Sequence, residues 1–89
     1  MSFQFDQHKS ETNRTKHGID FLDAQALWLD PDRVEVPART DDEPRFMVIG
    51  RIGHRVWSAV ITYRAGEVRI ISVRAARKEE VDIYESADI

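Results

Sequence analysis

The chain reads as an α+β domain: two N-terminal helices packed on one face of a mostly antiparallel sheet of four to five strands, with a short C-terminal helix. Three observations predict this. Helical spacing and capping signals are confined to roughly the first 30 residues and the last 13, and alternating, β-branched runs fill the middle. Short turns at Gly53-His54 and around Ala65-Gly66 join those runs as antiparallel neighbours. At 89 residues there is room for one domain spanning residues 1–89, with a small core.

Phe3 to Phe5 predicts a short first strand. Asp6 ends it and caps the next element, because its carboxylate can accept from the free amides of a first helical turn. Gln7 to His17 predicts a helix, and Gly18 stops it by supplying the left-handed conformation. That helix has no Leu, Ile, Val, Met or aromatic side chain, so it gains little from apolar burial and needs tertiary clamping or a partner. A second helix follows, capped by Asp20, with Phe21, Ala24, Leu27 and Trp28 on one face and an end near Asp30 imposed by Pro31.

Val34-Glu35-Val36 alternates and ends at Pro37, and the polar stretch Ala38 to Pro44 predicts a loop. Strands are then predicted over Arg45 to Ile52, Arg55 to Tyr63 and Glu67 to Ala75, and a last helix over Arg77 to Ser86. A two-residue Gly53-His54 turn pairs Ile52 with Arg55, Gly50 with Trp57 and Ile49 with Ser58. Phe46, Val48, Trp57, Ala59, Ile61 and Tyr63 then share an apolar face, while Arg45, Met47, Ile49, Arg51, Ser58, Val60 and Thr62 share an open, partly polar one. For the next turn, a three-residue Arg64-Ala65-Gly66 loop is expected. It places Ser72 and Arg74 beside Ser58 and Val56, near Arg51, but leaves Arg69 on the apolar face.

The chain has no cysteine, which excludes disulfides and thiolate metal sites and fits a reducing, cytoplasmic setting. No run is long and apolar enough to span a membrane or serve as a signal peptide. Net charge is -3, with acid gathered in Asp30, Asp32, Asp41, Asp42 and Glu43 and again in Glu79, Glu80, Asp82, Glu85 and Asp88. Arginines dominate the middle, so a local basic patch is compatible with the negative total.

Several cations invite two readings each. Arg51 and Arg74 are either edge residues in surface ion pairs or a pair of planar forks able to meet phosphate oxygens. Lys16 and His17 end the first helix, where cations complement the dipole, yet His is also the commonest general acid or base and a desolvated Lys can serve as a base. Arg77 and Lys78 begin a helix against its dipole, which calls for an anion such as phosphate or an acidic partner. Tyr84 can stack on a base, or pack at the spacing Ala76, Glu80, Ile83, Tyr84. His8, His17 and His54 lack the ligand spacing of a metal site, and no cofactor is expected.

Phe3-Gln4-Phe5-Asp6, Lys16-His17-Gly18 with Phe21 and Ala24, Asp30-Pro31, Phe46 through Arg51, and Ser72 with Arg74, Ala76, Glu80 and Tyr84 occur in an order and spacing that resembles the BrnT family of bacterial toxins. The resemblance runs from Phe3 to Glu85. It implies a RelE-like fold, metal-independent ribonuclease activity that inhibits translation, and neutralisation by a BrnA-type ribbon-helix-helix antitoxin, through which alone the complex contacts DNA. Given that activity, catalytic roles are expected for Lys16, Arg51 and Arg74, RNA contacts from Arg45, Arg77 and Lys78, and a catalytic or structural role for His17 and Tyr84. Lys16 is expected to face substrate, and His17 to hold the helix against the sheet. The antitoxin is expected to cover Met47, Ile49 and Val60 with an acidic amphipathic element. A catalytically weak or inactive partner-binding module, and a nucleic-acid-binding regulator that does not cleave, are the alternative readings.

Overall fold

The computed structural model describes residues 1–39 and 42–87; Asp41 of the acidic loop and Asp88 lie outside the described residues. In chain order the elements are β1 (Phe3–Gln4), α1 (Gln7–His17), a 3₁₀ helix (Asp23–Leu29), β2 (Val34–Pro37), β3 (Phe46–Ile52), β4 (Arg55–Arg64), β5 (Glu67–Ala75) and α2 (Lys78–Ser86). The strands form one mixed sheet in the order β1-β5-β4-β3-β2, with β1 parallel to β5 and every other pairing antiparallel. The fold is α+β, as the sequence predicts.

Helix α1 begins and ends where its caps dictate. The Asp6 carboxylate accepts from the Lys9 amide at 3.0 Å, and Gly18 closes the helix at φ 80° with its N–H on the Arg14 carbonyl. The helix is held by polar clamps in place of an apolar face. Asn13 donates to the Ile19 and Val73 carbonyls at 2.8 and 2.9 Å and accepts from the Val73 amide at 3.1 Å; Ser10 accepts from the Phe21 amide at 2.9 Å. Both side chains are buried. The helix therefore docks along β5 while the 3₁₀ helix packs against β3, in place of two helices side by side on one face.

The second helix is 3₁₀, a correction with a visible cause. Its buried residues Ala24 and Leu27, with Phe21 in the turn just before it, recur every third residue, which is the 3₁₀ repeat, whereas Gln25 and Trp28 at the α-helical spacing are only partly buried. Asp20 caps this segment through the Asp23 amide at 2.7 Å. Leu27 reaches Gly50 of β3, where an added Cβ would meet Leu27 Cδ2 at 3.1 Å, Arg33 Cβ at 3.3 Å and an Asp30 carboxylate oxygen at 3.4 Å. A side chain here would push these neighbours back by a few tenths of an ångström, so glycine lets the chain after the 3₁₀ helix lie closer to the sheet.

The β3–β4 register is the one the Gly53-His54 turn predicts, from Phe46 opposite Ile61 to Ile52 opposite Arg55. Gly53 has φ +63°, as the first position of a II′ turn requires. The β4–β5 turn differs from expectation. It is a two-residue Ala65-Gly66 turn with both residues at positive φ, and a bulge follows: Val60 faces Ser72 but Ile61 faces Ile70, leaving Ile71 as the extra residue. The bulge resolves the conflict that a regular strand creates. Val68, Ile70 and Val73 all reach the core, Arg69 lies opposite Thr62 with its guanidinium on Gln4, and Arg74 sits opposite Ser58 on the other face.

The core lies on one side of the sheet, where Val48, Trp57, Ala59, Ile61, Val68, Ile70 and Val73 meet Ile19, Phe21, Ala24 and Leu27. Burying one such side chain is worth about 1.5–3 kcal/mol, so the 3₁₀ helix is anchored chiefly by its own Leu27 and by Phe21 just before it. The opposite face is less open than the strand pattern suggests. Helix α2 covers one end, and Ile49 and Ser58 are buried there.

Candidate functional site

Two places on the molecule gather the side chains singled out above. The first is a groove between α1 and β5. Residues 8, 12 and 16 follow each other at four-residue spacing, so His8, Thr12 and Lys16 form one stripe of α1, flanked by Lys9 and His17. This stripe lies next to the one that Ser10 and Asn13 clamp to the sheet. With Ile71 and Ser72 as its floor, the groove encloses about 380 Å³. Lys16 and His17 are both exposed within it, so His17 does not act as the packing residue the sequence suggested.

That groove joins imidazoles, ammonium groups and the Thr12 and Ser72 hydroxyls in one place. Imidazole can take or give a proton near neutral pH, and ammonium groups stabilise charge developing on phosphate oxygens. His8, Lys9, Thr12 and Ser72 carry no catalytic or RNA-binding role in the sequence reading. The four-residue stripe on α1 was available as a signal, but nothing local tells which helical face the bulged strand β5 will meet.

The second place is the end of β3 beneath α2. Asp30, at the end of the 3₁₀ helix, accepts from the Tyr84 hydroxyl at 2.6 Å, the Arg51 amide at 2.8 Å and the Asp32 amide at 2.9 Å. Burial opposes ionisation of Asp30, but the donors, Tyr84 first, outweigh it and its carboxyl titrates below the usual range. The same hydrogen bond, aided by burial, raises the Tyr84 phenol. Tyr84 is buried and its proton is held by a carboxylate, so it packs and positions. Its ring lies 5.7 Å from the guanidinium carbon of exposed Arg51.

Arg74 shares the Arg51 face but is engaged differently. Its fork meets both oxygens of buried Glu80 at 2.7 and 2.8 Å, and Glu80 also accepts from the Ser58 hydroxyl at 2.8 Å and the Arg77 amide at 2.9 Å. The Arg74 fork, against the opposing effect of burial, holds the Glu80 carboxyl down at about 2, and Glu80 in turn raises Arg74. This cluster ties the first turn of α2 to β4 and β5. Arg77, the residue before α2, is exposed, and its backbone amide donates to the Glu80 carboxylate that caps the helix N-terminus. Lys78 pairs with Asp82 at 3.1 Å, and Arg45 is half-buried just before β3.

The structure thus brings Lys16 and His17 together with His8 and Lys9, places Arg51 with Tyr84, and separates Arg74 from both by committing it to Glu80. Of the expected antitoxin surface, Met47 and Val60 are half-buried and accessible, whereas Ile49 is sealed under α2.

No curated protein matches the chain. A family model described as "Ribonuclease toxin, BrnT, of type II toxin-antitoxin system" matches residues 5–80, taking in α1, the whole sheet from β2 to β5 and the first turn of α2. The caps of α1, the Gly50 approach and the Arg74–Glu80 pair all fall inside that match, and the chain belongs to the BrnT family of ribonuclease toxins of type II toxin–antitoxin systems.

Proposed function

We propose that this toxin cleaves single RNA chains without a metal ion, using the α1–β5 groove. The observation that carries this reading is the gathering of His8, Lys9, Lys16 and His17 over Ser72 in one groove. One imidazole takes the proton of a 2′-hydroxyl, whose oxygen then attacks the adjacent phosphorus. A water molecule gives a proton to the departing 5′-oxygen, leaving a 2′,3′-cyclic phosphate and a 5′-hydroxyl. Lys16 stabilises the charge on the phosphorus oxygens, with Lys9 beside it. Arg51, exposed on the same sheet face, contacts the RNA away from the bond broken. Arg74 acts through Glu80 by bracing α2, and Arg45, Arg77 and Lys78 border the path of the chain.

In this reading the fold is RelE-like, cleavage of cellular RNA inhibits translation in the cytoplasm, and a BrnA-like ribbon-helix-helix antitoxin neutralises the toxin and supplies the DNA contact of the complex. The antitoxin covers the half-exposed row Val36, Met47, Val60 and Ser72 with an acidic amphipathic element, which also shields Lys16. A second reading, a partner-binding module with little or no nuclease activity, draws support from the engagement of Arg74 by Glu80 and from the net charge of -3.

The deciding experiment is cleavage of short RNAs by the purified toxin with a chelator present, comparing the native chain with His8→Ala, Lys16→Ala and His17→Ala. Cyclic-phosphate ends, loss of cleavage in the variants, and no cleavage at a 2′-deoxy position are the expected results. Cleavage abolished by the chelator or undiminished in all three variants overturns the groove mechanism, and antitoxin binding without any cleavage selects the binding module.

A further inference from the structure

We infer that the recess lined by Asp32, Arg51, Tyr84 and Glu85 reads a guanine base of the bound RNA; this rests on the ribonuclease reading above. The recess encloses about 290 Å³, at the small end for a ligand pocket and suited to a single base. Its cation is Arg51, whose guanidinium lies over the Tyr84 ring and forms no ion pair among the described residues. Arg51 is also fixed from behind, because its amide and the Tyr84 hydroxyl both bond to the same Asp30 oxygen at 2.8 and 2.6 Å. The result is a donor fork on a braced support.

A phosphate is a poor occupant. Asp32 and Glu85 line the same recess, ionised Asp30 lies behind it, and a polyanion brought between them meets like charge. A base that offers acceptors to the fork and donors to a carboxylate satisfies both. Guanine presents O6 and N7 side by side, the pair an arginine fork meets, and N1–H with N2–H₂ side by side, the pair a carboxylate meets. Adenine and cytosine lack the paired donors, and uracil offers a single N–H between two carbonyls. The placement suits a chain entering the α1–β5 groove. Arg51 stands on the same face of β3 as Met47, whose row runs through Val60 to Ser72. Strand geometry separates the recess from Ser72 by about 13 Å along the strands and about 10 Å across them, so the base read lies a few nucleotides from the bond cleaved.

The test pairs cleavage with direct binding. Short single-stranded RNAs carrying one guanosine are compared with the same RNAs carrying inosine, which lacks the 2-amino group, and guanosine and adenosine monophosphates are titrated onto ¹⁵N-labelled toxin. Expected is cleavage about 10-fold faster with guanosine than inosine, falling toward parity in Asp32→Asn/Glu85→Gln, and guanosine-selective shifts of the Arg51 and Glu85 amides. Equal cleavage of guanosine and inosine RNAs by the native toxin, or equal shifts from both nucleotides, overturns the inference. Guanosine-selective shifts at the recess in a toxin that cleaves no RNA uphold the subsite while removing the nuclease reading.

Discussion

Asn13 bonds both backbone groups of Val73, donating to its carbonyl at 2.9 Å and accepting from its amide at 3.1 Å, so a helix side chain completes β5 as a neighbouring strand would. A second donation to the Ile19 carbonyl at 2.8 Å makes Asn13 the link between α1, the segment leading into the 3₁₀ helix and the sheet. Asn13→Ala strands three buried backbone groups, each costing about 1–3 kcal/mol when unpaired. Asn13→Asp is expected to be worse, since it sets a carboxylate against two carbonyl oxygens. Urea denaturation with α1 helicity followed by circular dichroism checks both.

Glu80 gives the fold an acid limit. Its folded value of about 2 lies below its ordinary value of 4.5, so the ionised carboxylate stabilises the folded state. The contribution is complete above about pH 4.5 and is lost as pH falls toward 2. Glu80→Gln should flatten this acid limb of the stability profile and destabilise the protein at neutral pH, because it leaves Arg74 partly buried without its counter-charge. Thermal melts across pH 2 to 7 test the pair.

Lys16→Ala is expected to lower RNA cleavage by about 10²- to 10³-fold with little change in melting temperature, as fits an exposed group acting on the transition state. Arg74→Ala, by contrast, should reduce cleavage and stability together, since its fork holds α2. Equal loss of stability in both variants would remove the distinction drawn between them.

Ala65 occupies the left-handed region at φ 51° in a turn that favours Asn-Gly. Ala65→Asn should stabilise the hairpin by about 0.5–1 kcal/mol, with no effect on cleavage. For a domain of this size that is a rise of about 2–8 °C in melting temperature.

Gly50→Ala should cost about 1–3 kcal/mol, because the new methyl group presses on Leu27, Arg33 and Asp30 at once. It should also loosen the Asp30–Arg51 contact, visible as a shifted Arg51 amide resonance.

The features legible in the sequence were those fixed by neighbours along the chain. Asp6, Gly18 and Gly53 set the ends of α1 and the β3–β4 register through local backbone preferences, and that register carried the two faces of the sheet correctly. The bulge at Ile71 was hidden because a two-residue turn and a three-residue turn differ by one position, and only the joint burial of Val68, Ile70 and Val73 decides between them. Glu80 was hidden for another reason. Nothing in the spacing from Arg74 marks them as partners until α2 folds back over the sheet. The groove was half legible: Lys16 and His17 stood out by type, while His8 and Ser72 joined them only through the docking of α1.

The N-terminal elements owe their order to the far end of the chain. Phe3 pairs with Val68 and Asn13 with Val73, so the first 17 residues have no sheet to rest on until β5 has been made. Contacts between such distant segments form late and slowly. A nascent chain still attached at residue 70 carries His8, Lys16 and His17 on an unsupported polar helix that is marginal in isolation. The groove is therefore assembled only after β5, the last strand of the sheet, has been made, so the N-terminal helix waits for the strand that becomes the floor beneath it.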